Sequence, residues 1–112
     1  MTQTNEPGRK DDSGKPRWSL MPFKELSEML LVLEYGASKY GANDWTNVAG
    51  FRDRYFNAAM RHFMAWWSGE RNDPESGHGH LAHAACCLVF LMWNDNNCGT
   101  QGSGSNDMSN LK

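Results

Sequence analysis

Every histidine of the chain, His62, His78, His80 and His83, falls within residues 61–85, together with Glu70, Asp73 and Glu75. Imidazole titrates near neutrality and is the commonest protein metal ligand, so this concentration points to a site. His80 and His83 stand three residues apart, a spacing that on a helix directs both rings from one face toward a shared ligand. The same pair serves as well as a helix cap and a hydrogen-bonded bundle histidine. Glu70 and Asp73 form an E-x-x-D pair whose oxygens suit hard cations such as Mg²⁺ or Mn²⁺ held together with substrate phosphates. The alternative for that pair is a solvated acidic loop, with an Asx turn at Asp73-Pro74 and a Glu70–Arg71 pair. Glu34 follows an apolar run and is expected to point inward, where a carboxylate must be paired, metal-bound or protonated.

Positive charge near these groups comes from Lys39 and from Arg61, which adjoins His62. Both suit phosphate oxygens, and both have the ordinary surface reading of a cation beside a helix end. Residues 15–22, KPRWSLMP, place Lys15, Arg17 and Trp18 on an extended strap. Such a strap either lays cations and an aromatic ring over a nucleotide or simply covers the domain. Cys86 and Cys87 lie in an apolar stretch that raises thiol pKa values, which argues against nucleophilic cysteine chemistry.

These side chains need helices to hold them. After Pro22, apolar residues at Leu26, Met29, Leu30, Leu33, Ala37 and Tyr40 recur with helical spacing up to Gly41. Gly36 inside that helix costs stability and is expected to admit another backbone or a ligand. The turn-rich segment 42–50 carries Trp45, expected to plug the domain. A second helix is predicted over residues 51–67, with Tyr55, Ala58, Ala59, His62, Phe63 and Trp66 on one face and Ser68-Gly69 at its end. The loop GERNDPESGHG leads into a third helix from His80 to about Asn94, apolar on nearly every side and so expected to be central and buried. No β-alternation of useful length interrupts this pattern. The fold class is therefore all-α, a bundle of three principal helices with long connecting loops.

Composition divides the chain into an N-terminal tail over residues 1–14, a helical domain over 15–95 and a Gly/Ser/Asn-rich tail over 96–112, both tails expected to be disordered. Five Trp, five Phe and three Tyr are more large apolar surface than the short ordered region can bury alone, so homo-oligomerisation is expected to complete the bundle. A net charge of −2 with dispersed basic residues disfavours DNA or RNA binding. With neither a membrane span nor a signal-peptide apolar region, a cytoplasmic protein is expected.

Taken together, K-P-R (15–17), L-x-P (20–22), E-x-G-A-x-K-Y-G (34–41), Trp45, R-H (61–62), A-W (65–66), G-E-x-x-D-P-E-S-G (69–77) and H-L-A-H-A (80–84) resemble the small phage domains of the dATP/dGTP diphosphohydrolase family, the MazZ-like group. The resemblance spans roughly residues 15–94. It implies a helical, oligomeric, divalent-metal-dependent enzyme that cleaves purine deoxynucleoside triphosphates to monophosphate and pyrophosphate, reshaping the nucleotide pool of a phage host. Carried over, it makes Glu34, His62, Glu70, Asp73, His80 and His83 candidate metal and catalytic positions, with Glu70 or Glu34 as general base. Lys15, Arg17, Lys39 and Arg61 become candidate phosphate contacts, and Trp45 or Trp18 a base-stacking ring. The implied cofactor is Mg²⁺ or Mn²⁺, with Zn²⁺ as an alternative. MazG-type pyrophosphohydrolases carry E-E-x-x-E on one helix and E-x-x-D on the next; this chain has only Glu25, Glu28 and Glu34 on the first helix and its E-x-x-D in a loop. Two further functions fit the residues: a nucleotide-binding protein that sequesters its ligand without hydrolysis, and an interaction module built on structural zinc.

Overall fold

Gly and Pro punctuation sets the helix boundaries, and the computed structural model describes residues 7–98. The elements are α1 (Phe23–Leu26), α2 (Glu28–Lys39), α3 (Phe51–Trp67) and α4 (His80–Cys98), with 3₁₀ turns at Trp18–Leu20 and Asp44–Asn47. The described chain has no strands, only one antiparallel bridge between Asn72 and Gly79, and the fold is all-α with three principal helices, α2, α3 and α4. The first predicted helix is broken at Ser27, whose hydroxyl donates back to Lys24 O at 2.7 Å. Serine competes in this way with the helical ladder.

α3 begins after Gly50, which adopts φ 66°, and ends where Ser68 and Gly69 donate to Met64 O and Trp66 O. α4 continues past the expected boundary near residue 95 to Cys98, and the Asn97 side chain caps its last turn by donating to Trp93 O at 2.9 Å. Residues 96–98 are thus helix. Residues 7–14 are exposed and outside regular helix, while the disorder expected for residues 1–6 and 99–112 lies outside the described residues.

α4 packs most extensively on α3 and also lies against α2. Val32 from α2 meets Ala82 and Cys86 from α4, with Met29, Leu33 and Phe90 around them. Small side chains at Ala59, Ala82 and Ala84 are buried at the helix contacts. An aromatic cluster extends this core from Phe90. Trp45, delivered by the 3₁₀ turn, stacks on Phe90 at 4.1 Å and meets Trp93 edge-on at 5.0 Å, as the expected plug.

The expectation that α4 is buried all round is corrected. Leu88, Val89 and Met92 are 56%, 45% and 62% exposed, because α2 and α3 cover only part of its circumference. Phe56, Phe63, Met64 and Trp67 on α3 are exposed as well, so Phe63 is not on the packed face. None of the described helices is long and apolar enough to cross a membrane.

Candidate functional site

The loop between α3 and α4 is the device that turns separate side chains into a cluster. Asp73 N–H donates to His78 O at 2.8 Å, Gly77 N–H to Asp73 O at 2.7 Å and His80 N–H to Arg71 O at 2.9 Å, so the loop folds back on itself around the Asn72–Gly79 bridge. Gly77 sustains the reversal at φ 79°, a conformation that side-chain-bearing residues rarely adopt. The Asp73 carboxylate also receives Glu75 N–H at 3.3 Å and Ser76 Oγ at 3.4 Å, the hydrogen bonds of an Asx turn. This fixes Asp73 over the first turn of α4.

There it meets two histidines. One ring nitrogen each from His62 and His83 and one Asp73 carboxylate oxygen lie within 4.8 Å of one another. His62 comes from the middle of α3, and its ring stacks on that of His83 at 4.4 Å. His83 Nε2 lies 2.7 Å from Ser76 Oγ and 3.6 Å from Asp73 Oδ2. Serine and aspartate thus approach the same imidazole nitrogen, which excludes a nucleophile–base–orienter triad, where they occupy opposite nitrogens.

His80 is not part of that triple. Its ring, 4% exposed, turns the other way, with Nε2 donating to Glu70 Oε1 at 2.7 Å and Nδ1 set 2.9 Å from His62 Nδ1. Of the E-x-x-D pair, only Asp73 reaches the cluster; Glu70 acts on His80. His78 packs edge-on against Tyr35 at 6.2 Å and contributes its backbone carbonyl to the loop.

Burial, followed by the neighbouring His83 and His80, lowers His62 to a pKa of about 4, and burial also lowers His83. Both rings are neutral at pH 7 and keep lone pairs for a ligand. In the metal-free protein, the unfolded chain takes up a proton on His62 below about pH 6.5 that the folded chain resists until about pH 4. Stability is therefore complete above that window and falls as pH drops through it, by roughly 1–2 kcal/mol after allowing for partial exposure of the ring. Thermal melts from pH 7 to pH 4 are expected to show this decline, and His62→Gln to flatten it. An unchanged slope in the variant would assign the acid sensitivity elsewhere.

The cluster opens on a cavity of about 750 Å³ between α2, α3 and α4, lined also by Glu34, Lys39, Trp45 and Arg61. Four of the expected site residues, from α2, α3 and the 3₁₀ turn at Asp44–Asn47, therefore share one space with His62, Asp73 and His83. Glu34 does so from the rim: it is exposed and not the inward carboxylate that was expected. Gly36 lines the same cavity, and no atom lies within 4 Å of where its Cβ would be, so it leaves room in the cavity and admits no backbone. Lys15, Arg17 and Trp18 do not line the cavity, and Trp18 is 69% exposed, so the strap does not cover the site.

Two residues of the loop, Glu75 and Ser76, had no assigned role in the sequence reading. Glu75 Oε2 accepts hydrogen bonds from Tyr35 Oη at 2.6 Å and from Lys39 Nζ, tying α2 to the loop. The shared hydrogen bond raises the Lys39 pKa and lowers that of Glu75. Ser76 was equally hidden, since a hydroxyl in a polar loop carries no signal until the loop closes. Cys86 and Cys87 also line the cavity, but burial pushes their thiols up to about 12 and about 11, leaving them protonated and poor nucleophiles.

Fold and site define a small helical domain in which an imidazole–carboxylate cluster faces a cationic, aromatic cavity. Residues 5–103 match the family described as dATP/dGTP diphosphohydrolase, N-terminal, and the chain belongs to that family. It is 36% identical over 90 residues to a dATP/dGTP diphosphohydrolase of Salmonella phage PMBT28, a match that covers 80% of this chain and 30% of the relative. The chain thus spans less than a third of that relative's length. No solved structure matches it.

Proposed function

We propose that this domain binds a purine deoxynucleoside triphosphate with a divalent metal and hydrolyses it to the monophosphate and pyrophosphate. The observation that carries the reading is the convergence of His62, Asp73 and His83 at the wall of a cavity that also holds Arg61 and Lys39. The name of the phage relative supports the substrate class.

The donor set fits a metal. Two neutral imidazoles and one carboxylate meet beside open space, the arrangement of sites that keep a coordination position for water or substrate, whereas structural zinc is enclosed by four protein ligands. Imidazole donors favour Mn²⁺ or Zn²⁺ over Mg²⁺, which prefers oxygen ligands. When bound, the ion would polarise a phosphoryl oxygen and lower the pKa of a water. The protein's own residues do the rest. Arg61 offers a fixed fork of donors for phosphate oxygens, and Lys39 reaches them once it leaves Glu75. Glu34, at the cavity rim, is the carboxylate placed to take a proton from water, since Glu70 is engaged with His80 and Glu75 still accepts from Tyr35.

The reading includes self-association through the exposed apolar faces of α3 and α4, and action on the nucleotide pool in the cytoplasm of a phage host. Purified protein incubated with each of the four dNTPs and Mn²⁺, Zn²⁺ or Mg²⁺ is expected to release pyrophosphate from dATP or dGTP, fastest with one of the first two ions. Tight nucleotide binding without pyrophosphate release under any of these conditions would identify a sequestering protein instead.

A further inference from the structure

Glu70, His80 and His62 form a hydrogen-bond chain whose direction can be worked out. An ionised carboxylate only accepts, so the 2.7 Å contact requires the hydrogen to sit on His80 Nε2. For a His80 ring that carries a single hydrogen, that hydrogen is the one on Nε2. A neutral ring protonated at Nε2 has an acceptor at Nδ1. The 2.9 Å contact between the two Nδ1 atoms then requires His62 to donate through Nδ1. His62 Nε2 is left with its lone pair. The opposite direction would put a hydrogen on Nε2 and turn His62 from a ligand into a donor.

We propose that Glu70 and His80 are positioning residues that present the Nε2 lone pair of His62 to a divalent transition metal shared with Asp73 and His83. The inference rests on the metal reading of the site and assigns two residues that the sequence placed among the ligands themselves. Metal-binding histidines commonly donate their other nitrogen to a carboxylate or carbonyl, which fixes both tautomer and ring orientation. Here a buried imidazole is interposed, so the carboxylate acts from the surface, with Glu70's side chain 53% exposed. The backbone supports the relay, because His80 N–H is held by Arg71 O at 2.9 Å next to Glu70.

The test uses the full-length chain, Co²⁺ as the spectroscopic probe and long-range ¹H–¹⁵N NMR for the histidine tautomers. Metal-free wild type is expected to show His62 protonated at Nδ1 and His80 at Nε2. Glu70→Ala is expected to weaken Co²⁺ binding about tenfold to a hundredfold, the range found for outer-shell partners, without changing helical content. Glu70→Gln, whose carbonyl can still accept from His80, is expected to recover part of that loss. Wild-type tautomers of the opposite sense would overturn the proposal directly. If Asp73→Asn abolishes Co²⁺ binding while both Glu70 variants bind like wild type, the positioning role is wrong and the metal site stands. If wild type does not bind Co²⁺, or Asp73→Asn binds it equally well, the metal reading fails and this inference fails with it.

Discussion

Asp73→Asn is expected to lower pyrophosphate release by roughly a hundredfold or more, since loss of an outer-shell partner alone typically costs 10–100-fold and this change removes the charged oxygen of the triple itself. Asparagine is the informative substitution because Asp73 has a second task. Its carboxylate accepts from Glu75 N–H and Ser76 Oγ, and its backbone pairs with His78 and Gly77. The Asn carbonyl oxygen preserves the turn, so the loop should close and the melting temperature should change little. Paired measurements of pyrophosphate release and thermal stability check this. Full activity in a folded Asp73→Asn protein would remove the cluster from the reaction.

Trp45→Ala is expected to have the largest effect on stability, about 3 kcal/mol, the low end of the cost of emptying a core aromatic position because the Trp45 ring is half-buried. Trp45 is in contact with Phe51, Phe90 and Trp93, and Tyr55 Oη donates to its carbonyl at 3.3 Å. In a domain this small such a loss lowers the melting temperature by roughly 12 °C or more. Trp45→Phe keeps a ring against Phe90 and should fall far less. Differential scanning calorimetry of the two variants distinguishes a packing role from a base-stacking role. If Trp45→Ala melts near wild type but loses nucleotide affinity, the ring belongs to the ligand and not to the core.

The residues that were legible in sequence share a property: their signals are local. α3 could be bounded at both ends because Gly50 and the Ser68-Gly69 pair punctuate it. His62, Asp73 and His83 could be grouped because one loop joins the helices of the two histidines and itself carries the aspartate. The failures are failures of rotation and of hydrogen bonding. Glu34 stands two residues beyond Val32, which rotates it by about 200° around α2 and places it on the exposed side of that buried residue. His80 and His83 share a face by spacing, yet His80 is drawn toward Glu70 and His62 by hydrogen bonds that no periodicity encodes. The interruption at Ser27 was hidden because apolar spacing runs on across it in nearly the same phase. The exposed faces of α3 and α4 reflect a core made mainly of small residues, in which Cys86 is the largest fully buried side chain.

All three members of the metal-competent triple, and both residues behind it, lie between His62 and His83 on a single helix–loop–helix hairpin. The proposed ion-holding part of the site therefore depends on one local piece of chain. α2, which supplies Glu34, Tyr35, Gly36 and Lys39 to the cavity, is a separate wall laid against it. The proposed ion-holding cluster and the wall that carries Glu34 and Lys39 are thus encoded in different segments. Substitutions along α2 other than at Glu34 and Lys39 would reshape the cavity while the proposed ion-holding hairpin stays intact, so the two can change separately.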